Sequence, residues 1–154
     1  MDNVLVHSAL VAIPKILKVQ CMVNGTQKTD QLDDVYLKNS DHVLSFAEIK
    51  SSCFNGILGL MFGHDQLLKL MDSMLMGTAS ELSSDEIISG TSEILNMVYG
   101  EAKSHLSKTG ETFEMVIPQS YVSKDIPQKF YENYKFQSVP FDSDIGDFKF
   151  LIGL

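Results

Sequence analysis

Residues 83–110 read Ser83-Ser84-Asp85-Glu86-Ile87-Ile88-Ser89-Gly90-Thr91-Ser92-Glu93-Ile94-Leu95-Asn96-Met97-Val98-Tyr99-Gly100-Glu101-Ala102-Lys103-Ser104-His105-Leu106-Ser107-Lys108-Thr109-Gly110. The spacing Ser83-x-x-Glu86 is a capping box, in which each side chain satisfies a backbone N–H at the start of a helix. Asp85 and Glu86 stand at the positive end of the helix dipole, while Lys103, His105 and Lys108 stand near its negative end, before Gly110. A helix over Ser84–Thr109 follows. Turning about 100° per residue, Ile87, Thr91, Ile94, Leu95, Val98, Ala102 and His105 form the apolar side. Ser89, Glu93, Asn96 and Gly100 fall opposite, flanked by Ser92 and Lys103.

Working outward, residues 3–18 carry apolar positions at helical spacing, with Pro14 expected to kink or end the helix. Asn24-Gly25 is a turn signal between Val19–Val23 and Val35–Leu37, and Asn39–Asp41 is another before Val43–Ile49, so these runs read as short antiparallel strands. Asn55–Phe62 is nearly continuous apolar sequence with two glycines, as suits a central strand closely approached by its neighbours. A helix over Asp65–Met76 is stopped by Gly77. After the long helix come strand-like runs at Phe113–Ile117, Tyr121–Val122, Phe136–Phe141 and Phe148–Leu154, with a turn at Asp142–Gly146. Residues 124–135 read as a surface loop, with a partner-selecting contact as the alternative. The fold class is α+β: one domain over residues 1–154, a mostly antiparallel sheet with long helices packed against it.

Composition narrows the function. The 154 residues carry 12 basic and 20 acidic side chains, net −8, and every basic residue is a lysine. Without a guanidinium there is no bidentate phosphate clamp and no guanine reader, so nucleic acid is not an expected partner. Cys21 and Cys53 have no CxxC spacing and read as thiols of a reducing compartment. No basic leader opens the chain, and the charge-free window Ser51–His64 is too short to span a bilayer, so a soluble cytoplasmic protein with no membrane partner is expected. Phosphate-loop, dinucleotide, zinc-protease and serine-hydrolase signatures are missing, and His7, His42, His64 and His105 are too dispersed to suggest a metal site.

Glu93 and Asn96 therefore carry the chemistry, if any residues do. Polar side chains on the outer face of an amphipathic helix are ordinary surface. Yet asparagine and glycine are poor interior helix formers, and Gly100 costs about 1 kcal/mol relative to alanine. A carboxylate and a carboxamide one turn apart, above a glycine that lets another surface approach, could dock a partner and orient a water molecule.

Ser92–Lys103 resembles the E-x-x-N-x-[hydrophobic]-x-G-x-x-K helix of the CheX-type chemotaxis phosphatases, relatives of CheC and FliY. The order of the flanking segments is similar too: Gly56–Phe62, Phe113–Pro118, and Val139-Pro140-Phe141 to Gly146-Asp147-Phe148. The resemblance implies an enzyme that hydrolyses the aspartyl phosphate of a CheY-like receiver. Glu93 would pair with the receiver's active-site lysine and Asn96 would orient the attacking water, with Ser89, Ser92, Gly100 and Lys103 contacting the partner. No cofactor is implied on this chain, because the receiver supplies magnesium. One motif per chain is the CheX-like arrangement, and family precedent adds a homodimer. The rival readings are a non-catalytic receiver-binding or flagellar-switch-like scaffold of the same fold, and a small-molecule enzyme, for which no nucleophile or phosphate loop is available.

Overall fold

The computed structural model describes residues 3–39 and 41–154. The first helix, α1 (Val4–Cys21), starts where the Asn3 side chain accepts hydrogen bonds from the Leu5 and Val6 amides. Two short strands follow, β1 (Gly25–Gln27) and β2 (Asp33–Asp34), then the long hairpin β3 (His42–Ser51) and β4 (Asn55–Gly63). Two helices come next, α2 (His64–Met74) and α3 (Ser84–Ser107). The chain ends with β5 (Phe113–Met115), β6 (Gln119–Val122), α4 (Gln128–Asn133), β7 (Phe136–Ser143) and β8 (Phe148–Gly153).

The strands form one antiparallel sheet in the order β1-β7-β8-β4-β3-β5, with β2 also on β7 and β6 also on β3. Helices α1, α2 and α3 cover one face and bury the larger core, including Leu5, Ile13, Leu58, Phe62, Leu95, Val98 and Phe150. Strand β4 lies between β3 and β8 and is buried from Gly56 to Phe62, as its unbroken apolar run requires. Gly59 admits no side chain: a Cβ there would stand 2.5 Å from the Ser45 carbonyl oxygen and 2.7 Å from the Phe46 Cβ.

Four local expectations are corrected. The α1 helix does not end at Pro14; it continues to Cys21 because Ile16, Leu17 and Cys21 extend its buried stripe, an energy gain that outweighs the missing proline N–H. It closes with Met22 in the left-handed conformation (φ 56°), so Val19–Val23 is not a strand. The strand expected at Val35–Leu37 lies instead at Asp33–Asp34, since Leu37, 1% exposed, turns into the second face of the sheet. Residues 124–135 are not a surface loop. They form a turn and α4, which lay Ile126 and Phe130 over Leu44, Phe46, Ile57 and Met61 as a second core. The turn expected at Asn39–Asp41 includes Ser40, which lies outside the described residues.

Among the described residues α1 is the helix long and apolar enough to cross a membrane, and more than half of it is buried inside the protein against α3 and the sheet.

Candidate active site

The capping box forms as the spacing predicts. The Ser83 amide donates to Glu86 Oε2 at 2.7 Å and the Glu86 amide to Ser83 Oγ at 3.2 Å. The Ser83 amide, and after it the Ser83 hydroxyl, hold the Glu86 carboxyl below its ordinary range. From this start α3 runs 24 residues across the sheet, anchored at mid-length by Tyr99, whose fully buried hydroxyl donates to the Leu58 carbonyl on β4 at 2.5 Å.

Burial of α3 reaches further around the helix than the sequence pattern shows. Ile94, Leu95, Val98 and Ala102 are buried as expected; Gly90, Tyr99 and Leu106 are buried as well. Gly90 lies close under Met71 of α2, with a Cβ position 2.4 Å from the Met71 Sδ. Between Ile87 and Lys103 the residues left in solvent are Ser89, Glu93, Asn96, Gly100 and Lys103, a narrow ridge about 80° wide at 100° per residue. Among the described residues, neither the Glu93 nor the Asn96 side chain has a hydrogen-bond or ion-pair partner. Both project freely from a helix fixed on its other sides. A Cβ added to Gly100 would meet nothing within 4 Å.

Ser92 differs from the other motif residues. It is half-buried, and its hydroxyl lies 2.5 Å from Ser120 Oγ on β6 and 3.2 Å from Ser45 Oγ on β3. At the other border Glu101 makes a 2.5 Å ion pair with Lys15 of α1, tying the two helices together beside Gly100. Nothing in the sequence signals this pair, because 86 residues separate its members. Among the described residues no three His, Cys, Asp or Glu side chains come together as a metal site needs. A cleft of about 380 Å³ lined by Tyr36, Tyr131, Tyr134 and Phe136 lies beside α4, on the opposite side of the sheet from α3.

An antiparallel sheet with long helices packed on one face is the architecture of CheC- and CheX-like proteins. A CheC-like superfamily protein from Shewanella sp. PV-4 superposes with a TM-score of 0.77 at 23% identity, covering 99% of this chain and 98% of that one. The chemotaxis protein CheX from Vibrio vulnificus gives 0.74 at 22% identity, covering 97% of each chain. CheX in the CheX–CheY–BeF3–Mg2+ complex from Borrelia burgdorferi gives 0.68 at 15% identity, covering 96% of each. A comparison with curated proteins finds no match in sequence. Residues 43–142, about two thirds of the chain, match the family described as Chemotaxis phosphatase CheX, and the chain belongs to that family.

Proposed function

We propose that this protein accelerates hydrolysis of the aspartyl phosphate on a CheY-like receiver. The observation that carries the proposal is the pair Glu93 and Asn96, one turn apart and unpartnered on the exposed ridge of a helix otherwise locked into the core. The family match and the Borrelia burgdorferi complex of a CheX with CheY support the choice of partner.

The chemistry asks little of this chain. An acyl phosphate is already activated, and magnesium comes with the receiver, where it neutralises charge developing on the phosphoryl oxygens. Asn96 would accept a hydrogen bond from the attacking water through its carboxamide oxygen and hold it in line with the phosphorus. Glu93 would pair with the receiver's lysine and set the depth of insertion. Ser89, Gly100 and Lys103 would border the contact, with Gly100 admitting the receiver's loops and Ser92 supporting the ridge from its sheet side. Such positioning supplies a rate factor on the order of 10² to 10³, or about 3 to 4 kcal/mol off the barrier. The reading carries a cytoplasmic location and a homodimer, for which Val116 and Ile117, exposed just after β5, are the apolar surface to examine.

The direct test measures decay of receivers phosphorylated with acetyl phosphate, in magnesium, with and without the protein. Faster decay is expected, together with its loss in Asn96→Ala at unchanged receiver affinity. Binding with no acceleration would favour the scaffold reading, and wild-type rates from Asn96→Ala would remove Asn96 from the mechanism.

A further inference from the structure

Four hydroxyl groups lie in a row beneath the ridge. Ser45 on β3 and Ser120 on β6 are directly paired across the sheet, and Thr91 and Ser92 of α3 come down beside them. The spacings are 3.2 Å from Ser45 to Ser92, 2.5 Å from Ser92 to Ser120 and 2.8 Å from Ser120 to Thr91. Thr91 in turn donates to the Ile88 carbonyl at 2.6 Å.

Each hydroxyl has one proton to give. A carbonyl can only accept, so Thr91 has spent its proton on Ile88 and must accept from Ser120. Ser120 must then accept from Ser92, and Ser92 from Ser45. The row has a single allowed direction, Ser45 to Ser92 to Ser120 to Thr91 to Ile88, and every contact in it depends on the next. Ser45 and Thr91 are completely buried, so water cannot readily replace a lost member.

We infer that this row is a positioning device for Glu93 and Asn96, and that Ser120 is a positioning residue of the reaction although it lies on the sheet. The inference rests on the phosphatase reading for its kinetic consequence. Apolar packing fixes the distance of a helix from a sheet better than its rotation, because it has no direction. Directed hydrogen bonds linking two successive residues, Thr91 as acceptor and Ser92 as donor, to the hydroxyl at one strand position oppose rotation of α3 about its own axis. The leverage is large at the ridge: with side-chain atoms about 6 Å from the helix axis, a 10° turn carries Asn96 through about 1 Å. A displacement of that size costs on the order of 100-fold in a reaction that depends on placing one water.

Ser120 is the residue to test, because it lies off the ridge and a strand accepts threonine readily. Ser120→Ala removes both the acceptor for Ser92 and the donor to Thr91; Ser120→Thr restores a hydroxyl. Single-turnover decay of the phosphorylated receiver should show the rate at saturation falling about tenfold or more in Ser120→Ala and returning to within about twofold in Ser120→Thr. In the free protein, the Asn96 side-chain amide resonance should shift in Ser120→Ala and return in Ser120→Thr. A Ser120→Ala protein with the wild-type saturating rate overturns the inference, as does an unshifted Asn96 resonance or a loss that threonine does not rescue. If wild-type protein does not accelerate receiver decay, the phosphatase reading fails, and the Asn96 resonance alone still decides whether the row orients the ridge.

Discussion

Gly100 separates stability from function more sharply than any other ridge position. A glycine inside a helix costs about 1 kcal/mol relative to alanine, because the unfolded chain gains backbone freedom. The penalty is recovered only where the added methyl has room, and at Gly100 a Cβ meets nothing within 4 Å. Gly100→Ala is therefore expected to raise the melting temperature by about 2–4 °C in a chain of this size. Gly100→Leu gains nearly the same helical preference and should melt no lower than wild type. Its larger side chain, however, stands one turn from Asn96 on the same ridge, where receiver loops would approach. Receiver affinity should fall roughly tenfold or more, equivalent to about 1.4 kcal/mol. Calorimetry and a receiver-binding titration measure the two halves. Gly59→Ala is the control, since its Cβ would press on the Ser45 carbonyl, and overpacking of this kind costs about 1–3 kcal/mol. A Gly100→Ala protein that melts below wild type would show that position 100 packs against the protein itself. A Gly100→Leu protein with wild-type affinity and turnover would refute insertion of the ridge into the receiver.

Glu93→Ala should weaken receiver binding as well as turnover, and should flatten the salt dependence of affinity; equal affinities at low and high salt for both proteins would contradict a docking charge. The Lys15 ammonium beside Glu101 holds its carboxyl below the ordinary range, so the pair's stabilisation is complete above the unfolded value, about pH 4, and fades as pH falls through the lowered folded value. Glu101→Gln should therefore narrow the gap between the melting temperatures at neutral and acid pH, and an unaltered gap would show the pair to be inert. Burial pushes the Cys21 thiol up to about 11, which leaves roughly 0.1% thiolate at pH 8. Iodoacetamide should spare Cys21 in the native protein and modify it after unfolding, as read by peptide mapping; rapid native labelling would mean that α1 opens.

The long helix, the central strand and the exposed motif were legible because their signals are local. A capping box, a period of 3.6, and an apolar run broken by Gly56 and Gly59 specify α3 and β4 whatever packs on them. Exposure of Ser89, Glu93, Asn96, Gly100 and Lys103 follows from the same wheel, while the roles proposed for Glu93 and Asn96 rest on the resemblance of their spacing to a family motif. Other features were not legible because they depend on which residues a distant segment covers. Pro14 argues against a helix until Ile16, Leu17 and Cys21 find a core to enter. Residues 124–135 look like a loop until the bare second face of the sheet gives Ile126 and Phe130 something to bury. Tyr99 is absent from the apolar arc read along the helix; it is buried because Leu58 offers its carbonyl, and its burial helps narrow the exposed side of α3 to a ridge. Nothing along the chain links the hydroxyls of Ser45, Thr91, Ser92 and Ser120 to one another. They become one directed row because β3 and β6 pair and α3 crosses them, and hydrogen bonds of that kind exist only once segments far apart in sequence are brought within about 3 Å.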